Sequence, residues 1–564
     1  MWTFSIKTTL SIIFFIALIL TSLLYTVGLA NHDVTADTIE IIELFLLTLS
    51  TILIIASLYS YIPKITLIIL GCCAFIALSA FILIETYHTP VNANIISIIR
   101  ETNYGEIGAL LRGIPATVVF TYIFIVFMVI FSIQNRFNLK KQISHRILFI
   151  NILFCTAIIY SNWPPSQKPS TNISDNIEYF SYSNLDKNEF IRKSLPIAIP
   201  FILKDFYYQR KELIQYANTY ADYRFNIAEI PSFDTRQIYV LVIGESARFD
   251  HWGINGYARN TSPLLSARKD IISFQQMYAY EALTRYSVPV IMSRKPIDNL
   301  DDHFHEASII TLFKNTGFKT AWISMQPEFG KYDSPISVYA YEADSMHFIN
   351  SASFNFKTLP DYKSLPYIKQ LIDSTQDNLF IVVHTLGSHQ RYKDRYEAHM
   401  GIFLPDLLPD GQVPNAYSKQ DREIFVNAYD NSIIATDYFL GHLIELLDKK
   451  NASSFMFYVS DHGEGLFDDG RLAIGHVSKT FATLHVPAFF WASEEYKKNS
   501  INLVHQLTRN STQLTSIDMV FETLVSLSQT SLNDPRPALD MTQPIIQLLP
   551  AASQQLKDKR IISP

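Results

Sequence analysis

Long apolar stretches dominate the first 161 residues of this chain, and they constrain its fold more than anything that follows. They run roughly 8–29, 39–62, 65–86, 114–133 and 147–161. A helix crossing the hydrocarbon core needs about 20 apolar residues, because the backbone polar groups must be satisfied within the segment. Five membrane-spanning helices are expected, the last being short. The first has too long an apolar core, and no clear small-residue cleavage site, for a cleaved leader. Segment 134–146 holds Arg136, Lys140, Lys141 and Arg146 and no acid, which keeps it cytoplasmic. Loop 30–38 carries Asp33 and Asp37 and no base. The N-terminus is then cytoplasmic, and everything beyond about residue 162 lies in the periplasm.

The rest of the sequence reads as an ordinary soluble protein. Net charge is −6, with no long basic run, so there is no electrostatic footprint for nucleic acid. The three cysteines, Cys72, Cys73 and Cys155, all lie in apolar runs. A metal site after residue 160 must therefore use His, Asp, Glu or a hydroxyl. The external loop 87–113 contains Glu101, Asn103 and Glu106. It reads either as a solvated connector or as a platform near the lipid headgroups. Residues 162–235 form a connector, in which 188–219 mix apolar and basic positions in the manner of amphipathic helices lying on a membrane surface. A buried helix of the soluble domain is the other reading of that stretch. The expected division is a five-helix transmembrane domain at 1–161, the connector at 162–235 and a catalytic domain at 236–564.

From Ile238 short β-rich runs alternate with helical ones, the pattern of an α/β domain whose mostly parallel sheet is sandwiched by helices. Strands are expected at 238–244, 320–324, 379–385, 454–460 and 487–491, and helices at 308–316, 365–374, 419–449 and 517–528. Ligands of such sheets collect beyond the carboxyl ends of the strands. There the chain places Glu245, then Gly387-Ser388-His389, then Asp461-His462-Gly463-Glu464, followed by His476 and His485. A single carboxylate after a strand is commonly a helix cap. Carboxylates and imidazoles gathered on one edge are different, because buried carboxylates repel one another unless a cation joins them. Two carboxylates, one histidine and an oxygen nucleophile suit a tetrahedral zinc site with a position left for substrate. The hydroxyl in question is Thr284, in Ala-Leu-Thr284-Arg-Tyr-Ser287-Val-Pro289. It is a weak nucleophile unless a metal or base activates it.

Taken in order, Gly244-Glu-Ser-Ala-Arg248, Gly256-Tyr-Ala-Arg-Asn-Thr-Ser-Pro263, Thr284-x-x-Ser-Val-Pro289, Gly387-Ser-His389 and Ser460-Asp-His-Gly-Glu464 resemble the bacterial phosphoethanolamine transferases of lipopolysaccharide and periplasmic glucans, within the sulfatase/alkaline-phosphatase superfamily. The resemblance covers nearly the whole chain and implies an inner-membrane enzyme with a periplasmic catalytic domain. It implies a firm zinc site of Glu245, Thr284, Asp461 and His462, with Thr284 as nucleophile. His389 and His476 would hold phosphate or a second zinc and support proton transfer, with Glu464 and His485 as further members of that outer site. Lys331 is similar to a family lysine that contacts phosphate. Glu101, Asn103 and Glu106 resemble a membrane-loop motif facing the donor lipid.

The chemistry so implied moves phosphoethanolamine from phosphatidylethanolamine to lipid A, a core sugar or a glucan, through a covalent ester on the threonine. Lipid A members carry periplasmic disulfides that this chain lacks, and the stretch 323–333 looks more like members acting on core sugars or glucans. Two alternatives stay open: glycerol-phosphate transfer of the lipoteichoic-acid-synthase type, and a membrane-anchored phosphatase or sulfatase-like hydrolase. Against a sulfatase, Ser287-Val-Pro289 lacks the spacing of the Cys/Ser-x-Pro/Ala-x-Arg signature.

Overall fold

Two compact units divide the chain, a helical one of residues 1–99 and 114–208 and a sheet-containing one of residues 100–113 and 209–564. The computed structural model describes residues 6–24, 26, 38–87, 91, 93, 96, 116–135, 149, 151–153, 194–219, 222–297, 306–326, 335–350, 358–414, 418–468, 474–476 and 479–545.

In the first unit the expected spans emerge as helices α1 (Ile6–Thr21), α2 (Thr38–Ser57), α3 (Pro63–Tyr87) and α4 (Ala116–Gln134). Of the fifth stretch only residues 149 and 151–153 are described, all helical. Segments Ile42–Ser60 and Pro63–Ile82 are long and apolar enough to cross a bilayer. Leu67, Leu70, Ala74, Ile125 and Met128 pack inward, while Ile65, Phe75, Phe120, Ile123 and Phe127 face outward. Helices apolar on all sides are stable only in a large core or in lipid. At Gly71 a Cβ would lie 2.5 Å from Val129 Cγ2, so glycine sets the approach of α3 to α4. Helix α5 (Ala198–Thr219) occupies part of the expected connector and carries Pro200 in its first turn, where proline costs no hydrogen bond.

The second unit is built on a seven-stranded sheet: β1 (Gln237–Gly244), β2 (Ile272–Ser273), β3 (Lys319–Ser324), β4 (Ser345–Phe348), β5 (Leu379–His384), β6 (Ser453–Ser460) and β7 (Ala488–Ala492). Their spatial order is β2-β7-β6-β1-β5-β3-β4. The five strands from β6 to β4 run parallel, whereas β7 and β2 join antiparallel at the other edge.

Helices cover both faces, which is why the strands read as unbroken apolar runs. Along β1, Tyr239, Leu241 and Ile243 enter one core while Ile238, Val240 and Val242 enter the other. Helices α6 (Thr284–Met292), α7 (Ile309–Asn315) and α10 (Val520–Leu527) line the first; α8 (Leu365–Ser374) and α9 (Arg422–Asp448) line the second. Each fully buried large side chain contributes about 1.5–3 kcal/mol, so the sheet is rigid. Central β1 lies between β6 and β5, and polar side chains converge at the carboxyl ends of these strands.

Candidate active site

Glu245 follows β1 directly, and Asp461 and His462 follow β6. Strand pairing sets Gly244 opposite Ser460, which delivers the two carboxylates side by side. All three residues are buried, and one ligand atom from each falls within 4.8 Å of the others. Thr284 opens α6 and reaches the same point. Its Oγ1 donates to Glu245 Oε2 at 2.9 Å and lies 3.2 Å from His462 Nε2. A helix N-terminus carries partial positive charge, which suits an anion arriving at Thr284.

The electrostatics of this cluster call for a cation. Burial and the neighbouring Glu245 charge push the Asp461 carboxyl up to about 7. Burial opposes ionisation of Glu245 as well, yet His462, His389, His476 and Ser246 together hold it down near 2. Burial would lower the His462 pKa, but Asp461 and Glu245 raise it. Its Nδ1 faces the Gly463 carbonyl oxygen at 2.8 Å, which can only accept, so that nitrogen carries a proton. Nε2 then points between Glu245 Oε1 and Asp461 Oδ2, each at 3.4 Å. A second proton, a metal ion or the Thr284 hydroxyl proton would satisfy that lone pair, and a cation would offset both carboxylates at once. Asp461 Oδ2 is buried and accepts no hydrogen bond. Two carboxylate oxygens, one imidazole nitrogen and a hydroxyl fit a small divalent ion such as zinc.

A surrounding shell fixes these groups. Ser246 donates through Oγ to Glu245 Oε1 at 2.6 Å, while Asp461 Oδ1 accepts from the backbone amides of Ser246 at 3.2 Å and His462 at 2.7 Å. Ser246 has φ +55°, a left-handed conformation costing about 1–2 kcal/mol outside glycine. Tyr429 on α9 holds that turn, donating to the Ser246 carbonyl and accepting from the Arg248 amide. The loop after β5 is clamped by Asp361, whose carboxylate accepts from the amides of Leu386 and Gly387, and by Ser432 of α9, which donates to Ser388 Oγ.

Gly387 lets this loop touch Glu245. Its φ is +46°, and a Cβ there would meet the Glu245 carbonyl oxygen at 2.5 Å and the Glu245 Cβ at 3.1 Å. Gly387→Ala is expected to cost about 2–4 kcal/mol in urea unfolding. It should also weaken metal binding, since the clash displaces Glu245.

The outer groups sort less evenly. The His476 ring lies 4.3 Å from that of His462 and 5.8 Å from that of His389, so three imidazoles crowd one side of the cluster. Buried Glu464 approaches His476 Nδ1 at 3.4 Å. His485 is packed differently. Its ring stacks between Phe249 at 4.1 Å and Tyr278 at 4.7 Å, and Nε2 meets the Gln275 carbonyl oxygen at 3.0 Å. Burial in that sandwich holds its pKa down near 4. Lys331, Glu101, Asn103 and Glu106 lie outside the described residues.

Two residues join the site that sequence patterns did not single out. Gln326 Nε2 donates to Glu245 Oε2 at 3.1 Å. His384, at the end of β5, is buried beside Trp322, and burial lowers its pKa to about 4. The folded protein keeps it neutral while the unfolded chain protonates it near 6.5, so its contribution to stability is lost as pH falls from 6.5 toward 4. That loss is about 3 kcal/mol. His384→Leu should flatten this part of the stability–pH curve, measured by denaturant midpoint.

With this geometry in place the comparisons become interpretable. The sulfatase family model matches residues 237–530, more than half of the chain. The chain belongs to the sulfatase family. Among curated relatives of this sulfatase-family protein is the phosphatidylethanolamine transferase Mcr-1 of Escherichia coli. It is 28% identical over 328 residues, covering 56% of each chain. The chain spans about half the length of the curated relatives it matches. Integral membrane lipooligosaccharide phosphoethanolamine transferase A (EptA) from Neisseria meningitidis superposes with a TM-score of 0.69 at 19% identity, over 94% of this chain and 97% of that one. The periplasmic domain of EcEptC from Escherichia coli, solved in complex with Zn, gives 0.51 at 22% identity, over 58% of this chain and 92% of that one. The fold of this sulfatase-family chain is thus a multi-pass α-helical membrane domain followed by a sulfatase-like α/β domain.

Proposed function

We propose that the protein transfers phosphoethanolamine from phosphatidylethanolamine to a lipopolysaccharide or periplasmic glucan acceptor, with Thr284 as the attacking group. The observation carrying this reading is the Thr284 hydroxyl, seated 2.9 Å from Glu245 and 3.2 Å from His462 at a buried cation-demanding cluster. The names of Mcr-1 and EptA support the headgroup and the acceptor class, and the Zn complex of EcEptC supports zinc as the ion. Residues 1–161 then hold the enzyme in the bacterial inner membrane, 162–235 connect, and 236–564 work in the periplasm. A diacyl donor fits an enzyme anchored where that lipid resides.

Glu245, Asp461 and His462 would hold the zinc, which when bound lowers the pKa of the Thr284 hydroxyl and neutralises charge on the phosphoryl oxygens. Thr284 Oγ1, giving up its proton, attacks phosphorus in line. The phosphorus–oxygen bond to diacylglycerol breaks, and that oxygen gains a proton. The phosphoethanolamine ester on Thr284 is then attacked by an acceptor hydroxyl or phosphate, with His389 or His476 as general base, and Thr284 regains its proton. Glu464 orients His476 for that role, and Lys331 is assigned to the phosphate.

The test uses full-length protein with donor vesicles and, separately, lipid A, core-sugar and glucan acceptors. Equal amounts of diacylglycerol and phosphoethanolamine-bearing acceptor are expected. Glycerol phosphate attached to the acceptor from phosphatidylglycerol-containing vesicles would replace this reading with a synthase, and free phosphoethanolamine without acceptor modification would replace it with a hydrolase.

A further inference from the structure

We infer that Gln326 is a positioning residue for this site, its amide holding the Glu245 carboxylate in the orientation that serves both the cation and Thr284. The inference rests on the function proposed above. Two residues beyond β3, Gln326 stands where the β3–β5 ladder runs on past the strands through the bond from the Met325 amide to the His384 carbonyl, 2.8 Å. Its own carbonyl accepts from Ser324 Oγ at 2.9 Å, which fixes the backbone.

Both side-chain amide protons are then committed: one to Glu245 Oε2 at 3.1 Å, the other to the Thr385 carbonyl oxygen at 3.2 Å. The orientation of the amide follows from chemistry, because each of these partners only accepts, so Nε2 rather than Oε1 must face them. The Thr385 carbonyl belongs to the rigid end of the central sheet, so Gln326 ties the carboxylate to the scaffold.

Glu245 Oε2 thereby receives two donors, Gln326 and Thr284. In the proposed reaction the Thr284 proton departs, whereas the Gln326 amide keeps its hold. Without it, Oε2 would be unanchored at the moment Thr284 becomes nucleophilic, and the carboxylate could rotate about its last bond. Outer partners of ligating carboxylates typically affect metal affinity or activity by 10–100-fold.

The test compares full-length wild type with Gln326→Met, which keeps length but cannot donate, and Gln326→Asn, which is one methylene too short to bridge. Zinc affinity is read by competition with a chelator, alongside kcat and KM for donor lipid and the thermal midpoint. Gln326→Met is expected to weaken zinc binding and kcat each by about 10–100-fold, with KM near wild type; Gln326→Asn should fall in the same direction. Zinc affinity and kcat within twofold of wild type in a folded variant would overturn the assignment, as would a loss confined to the thermal midpoint. If Gln326→Met does not fold, Gln326→Asn decides by the same readouts. Should wild type bind zinc through Glu245 yet transfer no headgroup, the proposed function fails, while the zinc measurement still judges Gln326.

Discussion

Thr284→Ala is expected to abolish headgroup transfer, by roughly four orders of magnitude or more, while leaving the fold intact. No cysteine is present after residue 160, so a hydroxyl is the expected attacking group. Of the nearby hydroxyls, Ser246 is buried and donates to Glu245 Oε1, and Ser287 donates to the Glu281 carbonyl, 3.0 Å away. Among the described residues, only the Thr284 hydroxyl touches both Glu245 and His462. It sits at the first position of α6 without capping it, so alanine removes reactivity rather than structure. Peptide mass analysis after incubation with donor lipid should find phosphoethanolamine on the Thr284 peptide of wild type and nowhere on the variant. An adduct surviving at another residue of the variant would displace Thr284 from its role.

Removing the metal is the second large perturbation. Dialysis against a chelator should eliminate transfer and lower stability at neutral pH, by about 2.7 kcal/mol for zinc supplied at 100 times its Kd. The pH dependence carries a sign. Without a cation, burial and Glu245 hold the Asp461 pKa up at about 7, above its unfolded value. The folded protein then binds the extra proton, so the stability from this group is fully present below about pH 4 and is lost as pH rises toward 7. Zinc removes that penalty by pairing both carboxylates. The gap in denaturant midpoint between zinc-loaded and metal-free protein should therefore widen from pH 5 to pH 7. Taking the difference also cancels the opposite slope contributed by His384. A gap that narrows over this range would remove the Glu245–Asp461 pair as the ion's seat.

What could be read from sequence followed the strength of the physical signal. Strands β1, β3, β5, β6 and β7 are apolar runs buried on both faces, and all were expected within a residue or two. Strand β4 is short and at the edge, with Met346 and His347 exposed, so it shows no apolar run. Helix α6 escaped because Thr, Tyr, Ser and Val are poor helix formers and Pro289 lies inside it. Tertiary packing makes it a helix, and that packing aims Thr284. The inner cluster was legible because charged groups at strand ends are chemically conspicuous. Gln326 was not: an uncharged amide carries no ligand or acid–base signature, and its role exists only through a partner 81 positions away. His485 shows the reverse. Sequence proximity to Asp461 and Glu464 suggested chemistry, whereas Phe249 and Tyr278 claim its ring.

Helix α9 has a consequence for how changes at this site combine. Tyr429 grips the turn after Glu245, and Ser432, one helical turn on, grips the loop leading to His389. Two segments from different strands are thus fastened to a single rod. Substitutions at Tyr429 and Ser432 should behave as one lesion, the pair together costing less than the sum of each alone.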